Sequence, residues 1–525
     1  MAKISTPNQK KAYKDLSKRL NQYTRKVLAI YAMLAKEAAK LAVDVGYDGS
    51  DEFSFSNYPK TERRVKSLLN YYSSNMQTLV YSGISNEWES SNTLQDLLVR
   101  RVIKSYSRRI GQKRVKAYYE KNNAAKEAFK NRTIKGMNLS QRIWNQREDV
   151  KKSLERALAT GIEKGMSAVK LSKRVSKYLN DYPSLAKDYK KKYGKAIDVS
   201  GCEYRSVRLA RNEINMAYRT AEQERWRRFD FVKGIEIRTS GSHPKEDMCD
   251  ELAGKYPNGF PWSGWHVNCM CYAVPVIMTE EEYWGEGPKK LYTDVPSSFN
   301  KWISNNADKI KSNKSLPYFL ADNANFIADK EVRLVVRKRN EYQKLKNDTN
   351  YKDVEINSAG GVKAVHISHN KHNYTAKDFF NGTMDGDDLE NEFLEKAFSN
   401  GHSVIFCEEG KKDKTGKEMA ALDMVLDGRL MDLASITSNT MDYRNQLLNK
   451  SRQLKKFNSR EDVEAEYHDV CLYFHEPSMF EEKKLIDGYK RMLGVLKSKN
   501  SNTPLRNVLC VILRDGILEI KEYNF

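Results

Sequence analysis

Long helical segments dominate the first 195 residues of this chain and restrict what it can fold into. The segment from 8 to 45, NQKKAYKDLSKRLNQYTRKVLAIYAMLAKEAAKLAVDV, carries apolar residues at three- and four-residue spacing, contains no Gly or Pro, and ends just before Gly46. The segment from 140 to 179 repeats the pattern, and Ser140 is placed to cap its first turn. Because this spacing gives a helix one apolar face, residues 1–195 are predicted to form a helical scaffold.

The rest of the chain divides into three parts by sequence pattern. A chain of 525 residues is too long for one core, and about two to four domains are expected. Residues 196–280 combine a helical stretch, a strand-like segment and a Gly- and Pro-rich loop; 281–350 read as a helical connector; 351–525 alternate helix and strand patterns. The predicted fold class is therefore multidomain, with a mainly α N-terminal half, a small Cys/His-clipped α+β middle part and an α+β C-terminal domain.

The chain is strongly basic, with 91 Lys and Arg against 69 Asp and Glu and a formal net charge of +22. Such an excess indicates a polyanionic partner, either nucleic acid or an acidic protein surface. The alternative is a lysine-rich solvated surface without such a partner. The most apolar early stretch is interrupted by Lys36 and Lys40, so no membrane partner is expected. The N-terminal sequence lacks a signal-peptide pattern, which predicts a cytoplasmic origin.

A group of cysteines in the segment GWHVNCMCYAVPV predicts a metal site. Cys269 and Cys271 point the same way if the segment is extended, because alternate strand residues share a face. His266 lies three residues earlier, and Cys249, after His243, begins the loop that leads back to them. Three or four of these side chains would suit tetrahedral Zn²⁺, which would stabilise a small unit with little core of its own. The alternative is a group of buried free thiols, with the histidine packed on a neighbouring tryptophan.

Three stretches of this middle part resemble a known family. LARNEINMAYRTAEQERW, MCDELAGKYP and HVNCMCYAVPV are together similar to the minor head proteins of tailed phages typified by the F protein of phage Mu. The positions that match the family's motifs are Arg211, Glu213, Tyr218, Cys249, Leu252, Gly254, Lys255, His266, Cys269 and Cys271. The sequence departs from the family at Val267, where proline is usual, at Met270, where arginine is usual, and in having Cys249 alone where many members have a cysteine pair.

This resemblance implies a structural role in a virion. Minor head proteins of this kind bind the portal or the inner face of the major capsid protein during head assembly in the host cytoplasm. A basic protein in that position would lie beside packaged DNA and contact it without sequence preference. The cysteine site would then be architectural, because a closed set of four ligands leaves no open position for catalysis.

The segment ALDMVLDGRLMDLASI predicts a pair of facing carboxylates. If Asp427 and Gly428 form the two-residue turn that Asp-Gly favours, Asp423 falls directly opposite Asp432. Like charges facing across a hairpin are destabilising, so a compensating cation, metal or proton is expected beside them. Paired carboxylates also hold divalent ions in nucleases. The alternative is a slipped register or two aspartates on an exposed face.

The order of elements around this hairpin is similar to the C-terminal tRNA nuclease domain of contact-dependent inhibition toxins and to related phage nuclease domains. The quoted stretches are LENEFLEKAFSNGHSVIF, LDMVLDGRLMDLAS and YRNQLLNKSRQLKKF. The resemblance implies a catalytic site with Glu392, Asp423 and Asp432, but Ala434 stands where that pattern has a lysine. This departure indicates either a decayed, inactive domain or a substitute cation, such as Lys450, Arg452 or Lys455, on the following basic helix. Arg444, Lys450, Arg452 and Lys455 of that helix would bind the RNA backbone.

Histidines in HISHNKH add a second route to RNA cleavage. His366 is placed in a strand and could act as general acid or base, with His369 and His372 following in a loop. The alternative is a set of solvent-exposed loop histidines. Two functions are thus carried forward: a phage head protein with a nuclease-like C-terminal domain, or a virion-delivered or free tRNA nuclease whose N-terminal half serves for packaging.

Overall fold

The structure, a computed structural model, separates into two compact units, Met1–Arg333 and Leu334–Phe525. It describes residues 6–134, 136–197, 201–240, 247–312, 316–358, 360–369, 386–413, 415–436 and 442–525. Unit 1 is mainly helical and unit 2 is built on a mixed sheet. The prediction of a multidomain chain with a helical N-terminal half and an α+β C-terminal part is therefore confirmed at this level.

Eight helices make up most of unit 1. They are α1 (Gln9–Asp44), α2 (Glu62–Ser105), α3 (Gln112–Tyr119), α4 (Asn123–Asn131), α5 (Leu139–Gly161), α6 (Ala168–Asn180), α7 (Tyr182–Tyr193) and α8 (Cys202–Trp226). The buried stripes of α1, α2, α5, α6 and α8 join in one hydrophobic core. The predicted cap at Ser140 is wrong, because Asn138 caps α5 and forms a reciprocal pair of hydrogen bonds with Gln141.

A three-stranded antiparallel sheet follows α8. Its strands are β1 (Val232–Arg238), β2 (Gly254–Tyr256) and β3 (Tyr272–Ile277), in the order β2-β1-β3. The remaining helices of this part are short: α9 (Met248–Glu251), α10 (Glu280–Trp284), α11 (Ser297–Asn305), α12 (Ala307–Ser312) and α13 (Tyr318–Asp322). The pairing of β1 with both neighbours brings the cysteine segment next to the loop that starts at α9.

Unit 2 contains an eight-stranded mixed sheet. After α14 (Lys330–Lys346), its elements are β4 (Tyr351–Ile356), β5 (Val362–His366), α15 (Gly386–Ser399), β6 (Val404–Phe406), β7 (Met424–Leu426), β8 (Arg429–Ile436), α16 (Arg444–Asn458), β9 (Asp469–Phe474), α17 (Glu482–Ser498), β10 (Asn507–Arg514) and β11 (Ile517–Asn524). The strands are ordered by sequence from β11 to β4, and β5/β6, β8/β9 and β9/β10 are the parallel pairs.

Two hydrophobic cores lie on opposite faces of this sheet. One contains Phe393 and Leu394 of α15 with Leu433 and Tyr473 of the strands. The other contains residues of α16 and α17 with Ile436, Leu472 and other strand residues. Since alternate strand residues point to opposite faces, Asp432 and Ala434 share the face of α16. Among the described residues, no helix is long and apolar enough to cross a membrane.

The β7–β8 hairpin has the predicted register. Leu426 pairs with Arg429 and Val425 with Leu430. Asp427 and Gly428 both have positive φ, 47° and 86°, as a two-residue turn of the type favoured by Asp-Gly requires. This register places Asp423 and Asp432 at facing positions, as the sequence predicts.

Candidate functional sites

Three cysteines form a buried cluster in unit 1. Cys249 lies in α9, and Cys269 and Cys271 come just before β3. The three Sγ atoms lie within 4.8 Å of one another, with Cys249 and Cys269 3.8 Å apart, and none of the three residues is more than 1% exposed. The prediction that these thiols meet is therefore confirmed, and none of the described cysteines forms a disulfide.

His266 supplies a nitrogen at the edge of this cluster. Its Nε2 lies 3.1 Å from Cys249 Sγ, and its Nδ1 lies 2.9 Å from the carbonyl oxygen of Val267. Donation from Nδ1 to that carbonyl leaves the Nε2 lone pair directed at the thiols. Trp262 and Trp265, the tryptophans considered as packing partners for this ring, pack on each other. His243 lies outside the described residues.

Asp247 is a neighbour that the sequence pattern did not indicate. Its Oδ2 lies 3.7 Å from His266 Nε2, and the two side chains form a second close group with Cys249. In the sequence, Asp247 stands two residues before Cys249, a position from which an aspartate can cap a helix. Its Oδ1 accepts a hydrogen bond from the Cys249 amide at 2.7 Å. This contact caps α9 and fixes the direction of the first thiol.

Arg219 of α8 holds the cysteine segment in place. Its guanidinium donates to the carbonyl oxygens of Cys269 at 2.6 Å and Cys271 at 2.8 Å, and to that of Ser263 at 2.9 Å. Arg219 is 2% exposed, so these charge-assisted bonds form in a dry environment. Hydrogen bonds from the Cys249 and Cys271 thiols, followed by the positive charge of Arg219, lower the pKa of Cys269 well below its usual range. A thiolate at this position is the form that binds metal.

The α8 residues that match the motifs of the phage family contact side chains of the N-terminal helical region, not the cysteines. Glu213 is fully buried and accepts hydrogen bonds from Arg132 at 2.7 Å and Arg142 at 2.8 Å. Tyr218 packs edge-on against Tyr13 of α1, with ring centroids 5.5 Å apart. Arg211 donates to side chains of α1. One helix therefore ties the long N-terminal helices to the cysteine cluster.

In unit 2, Lys450 of α16 bridges the two facing aspartates. Its Nζ lies 3.2 Å from Asp423 Oδ2 and 3.0 Å from Asp432 Oδ1. Asp432 is fully buried, while the side chains of Asp423 and Lys450 remain 16% and 17% exposed. Asp423 also accepts a hydrogen bond from the Leu433 amide at 2.7 Å. We call these three side chains the Asp–Lys–Asp triad.

The prediction named a cation, a metal or a proton beside the facing carboxylates, and the triad contains the cation and the proton. Burial, followed by the interaction with Asp423, raises the pKa of Asp432 to about 9. Burial alone would raise the pKa of Asp423, but the interactions with Asp432, Lys450 and the Leu433 amide outweigh it and lower that pKa. At neutral pH, Asp423 is therefore ionised, Lys450 is charged and Asp432 holds a proton.

The triad brings two carboxylates and one ammonium together. A hydrogen bond between the two carboxyls contributes to both pKa shifts, and in it the protonated Asp432 donates to Asp423. Lys450 places an ammonium 3.0 Å from Asp432, and Ala434, where the nuclease pattern has its lysine, lies two residues further along the same strand. Carboxylate oxygens are ligands that divalent ions accept, and an ammonium can bind a phosphate.

Glu392 does not join the triad, and its predicted place there is wrong. Its Oε2 accepts hydrogen bonds from Tyr473 at 3.0 Å and from His475 Nδ1 at 2.5 Å. Tyr473 belongs to the α15 face of the sheet, whereas Asp432 faces α16. Strand alternation therefore separates Glu392 from the carboxylate pair.

The predicted histidines also lie elsewhere. His366 is half-buried at the end of β5, where its Nδ1 lies 2.7 Å from Ser368 Oγ and its ring packs on Tyr351. His369 is only 4% exposed, with Nδ1 2.7 Å from Glu409, so its expected exposure in a loop is wrong. Burial lowers the pKa of His369, but the Glu409 carboxylate outweighs this and raises it. His372 lies outside the described residues.

The other basic residues predicted on the helix after the hairpin contact other groups or are exposed. Arg452 and Lys455 are exposed on α16, and Lys455 Nζ donates to Ser501 Oγ at 3.0 Å. Arg444, at the start of the same helix, donates to Asn445. The structure thus brings Lys450 alone of this group to the carboxylates.

No family model, curated protein or solved structure matches the chain.

Proposed function

We propose that this chain is a minor head protein of a tailed phage, a structural component that binds portal and major capsid proteins during head assembly. The support is the arrangement around α8. The three stretches that carry the resemblance gather there, with Glu213 tied to α4–α5 side chains and Arg219 tied to the cysteine segment. A rigid helical body organised around one such helix suits a structural part of a particle, assembled in the host cytoplasm and retained in the virion.

The cysteine cluster in this proposal binds one structural zinc ion. Cys249, Cys269 and Cys271 supply three sulfur ligands and His266 supplies Nε2, a set that suits tetrahedral zinc. Four protein ligands leave no position for water or substrate, so the ion stabilises the loop and performs no catalysis.

A phage that lacks this chain tests the head role. We expect such a phage to produce defective or empty heads, and to regain DNA-filled heads when the wild-type chain is supplied in trans. The variant Cys269→Ser should complement poorly, and Cys202→Ser, at another buried cysteine, should complement normally. Normal yields of infectious particles without the chain would contradict the proposal.

A second activity is proposed for unit 2, cleavage of RNA, with tRNA as the preferred substrate. The observation that supports it is the Asp–Lys–Asp triad. Asp423 and Asp432 would hold a divalent ion, which when bound activates water and neutralises phosphate charge. Lys450 would then turn from the carboxylates to the scissile phosphate and stabilise its developing negative charge. Arg452 and Lys455, exposed on the same helix, would hold the backbone.

Incubation of the full-length chain with tRNA and Mg²⁺ or Mn²⁺ tests this activity. Asp423→Asn and Asp432→Asn should each abolish cleavage. Asp515→Asn is the matched control, because it removes one charge at the exposed β10–β11 turn, where φ is 51° and Asn is tolerated. Intact tRNA in every metal condition, or full activity in both triad variants, would overturn the assignment.

A further inference from the structure

A strongly basic surface lies where α2 ends and α3 begins. Residues 100–121 contain nine Lys and Arg but one acidic residue, Glu120. Arg108, Arg109, Lys113 and Lys116 are exposed there, and none of them makes an ion pair with a described residue. Three of these four line a surface groove of roughly 560 Å³, together with Gln112 and apolar residues of both helices. We call these four cations the α2–α3 basic surface.

The backbone beneath this surface is fixed by contacts with the core. Tyr106 is buried, and its hydroxyl donates to the Met278 carbonyl at 3.0 Å. One oxygen of Glu280 accepts hydrogen bonds from the Ser107 amide at 2.7 Å, the Ser107 hydroxyl at 2.6 Å and the Arg108 amide at 3.0 Å. The loop is therefore preorganised, and binding by its basic side chains requires little ordering of the main chain.

Nearby acidic residues are paired with other groups. Glu280 accepts from the loop itself, Asp230 lies 3.8 Å from Arg114, and Glu89 lies 3.4 Å from Lys121. None of the four cations of the α2–α3 basic surface forms an ion pair with a described residue, although Glu280 attracts Arg108, and the four like charges repel one another. A polyanion would relieve that repulsion and gain the release of its own counterions.

The arrangement of the cations favours double-stranded nucleic acid. Lys113 and Lys116 lie three residues apart in α3, which places their side chains about 5–6 Å apart on one side of the helix. Arg108 and Arg109 lie in the loop just before this helix. Tyr106 and Tyr118 are buried and Tyr119 is half-buried, so no exposed aromatic platform is present there to stack single-stranded bases. Phosphate contacts without base contacts carry no sequence information.

We propose that the α2–α3 basic surface binds the phosphate backbone of double-stranded nucleic acid without reading its sequence. In a head protein this surface would face packaged DNA, but the inference rests on the charges and exposure of these residues alone. The test of this binding surface does not depend on the nuclease activity, because the surface belongs to unit 1 and the triad to unit 2.

Salt-dependent binding of the full-length chain to a fluorescent mixed-sequence DNA duplex tests this surface. The assay omits added divalent cations, and a gel verifies that the duplex stays intact. The variant Arg108→Gln/Arg109→Gln/Lys113→Gln/Lys116→Gln should lower the slope of log K against log[salt] by about 3.6, since each lost phosphate contact contributes about 0.9. The control variant replaces four exposed lysines elsewhere in unit 1, Lys164, Lys170, Lys173 and Lys177, by Gln.

Both variants remove four positive charges, so a nonspecific effect of net charge would change the salt slope by the same amount in both. We expect the control to keep the wild-type slope. Equal slopes in the two variants would overturn the proposal. So would loss of binding to polyglutamate in the first variant with unchanged duplex binding, because the surface would then fit an acidic protein.

Discussion

Replacement of Lys450 by Met tests whether the Asp–Lys–Asp triad is a buried charge cluster. Lys450 is the cation within hydrogen-bond distance of both carboxylates, at 3.2 Å and 3.0 Å. Removal of one partner from a buried ion pair costs about 3–5 kcal/mol, because an uncompensated charge remains. We expect the free energy of unfolding of unit 2 to fall by about that amount at pH 7.

The pH dependence of this loss follows from the ionisation of Asp423. Its pKa is lowered in the folded state, so its contribution to stability is present above the unfolded value of about 3.9 and lost as pH falls through the folded value. Without Lys450, Asp423 is the carboxyl left charged at pH 7, and it takes up a proton as the pH falls. The deficit of the Met variant should therefore be largest at pH 7 and smaller at pH 4.

The chain provides an internal control for this measurement. All seven Trp residues lie in unit 1, so Trp fluorescence during urea unfolding follows that unit, while far-UV circular dichroism follows both. Lys450→Met should shift the circular dichroism transition of unit 2 and leave the fluorescence transition in place. Lys455→Met, on the exposed side of the same helix, should change stability by less than about 0.5 kcal/mol. A loss below about 1 kcal/mol for Lys450→Met would refute the buried-charge account.

Three other predictions address metal, pH and the α8 ion pairs. Metal analysis of the purified reduced chain should give one zinc per molecule, with stoichiometric loss in Cys269→Ser and retention in Cys202→Ser; a value near zero in the wild type would leave buried thiols only. Binding of Mn²⁺ to unit 2 should strengthen from pH 6 to pH 9, because a pKa of about 9 keeps Asp432 protonated at lower pH, and a flat profile in calorimetry would contradict this. Glu213→Ala should destabilise unit 1 by about 3–5 kcal/mol, since it leaves Arg132 and Arg142 without their buried partner; the Trp fluorescence transition measures the loss, and a change near zero would show that the pair is dispensable.

Local features of this fold were predictable from sequence, and features set by the packing of distant elements were not. The Asp427–Gly428 turn fixes the hairpin register through its own backbone angles, so the meeting of Asp423 and Asp432 follows from a short segment. Cys249 meets Cys269 because β1 pairs with strands on either side of one loop. Both arrangements depend on short-range geometry.

Glu392 and His369 illustrate the limit of such reasoning. Sequence places Glu392 on a helix but does not say which face of the sheet that helix covers, and α15 covers the face opposite Asp432. His369 follows a strand as expected, yet Glu409, forty residues later, makes its burial favourable. The contact of Arg219 with the cysteine segment was not predicted, because its partners are main-chain carbonyls. Every residue has such a carbonyl, so the pattern of side chains does not reveal this contact.

The presence of this chain in purified virions is the most direct test of the central claim. The head-protein proposal requires a phage or prophage to encode the chain, and quantitative mass spectrometry of its purified particles should then detect the chain at a fixed ratio to the portal protein. Chemical cross-linking of the same particles should join lysines of unit 1 to portal or major capsid protein. Absence of the chain from particles, while it accumulates in the host lysate, would contradict a role in the head and favour the free nuclease.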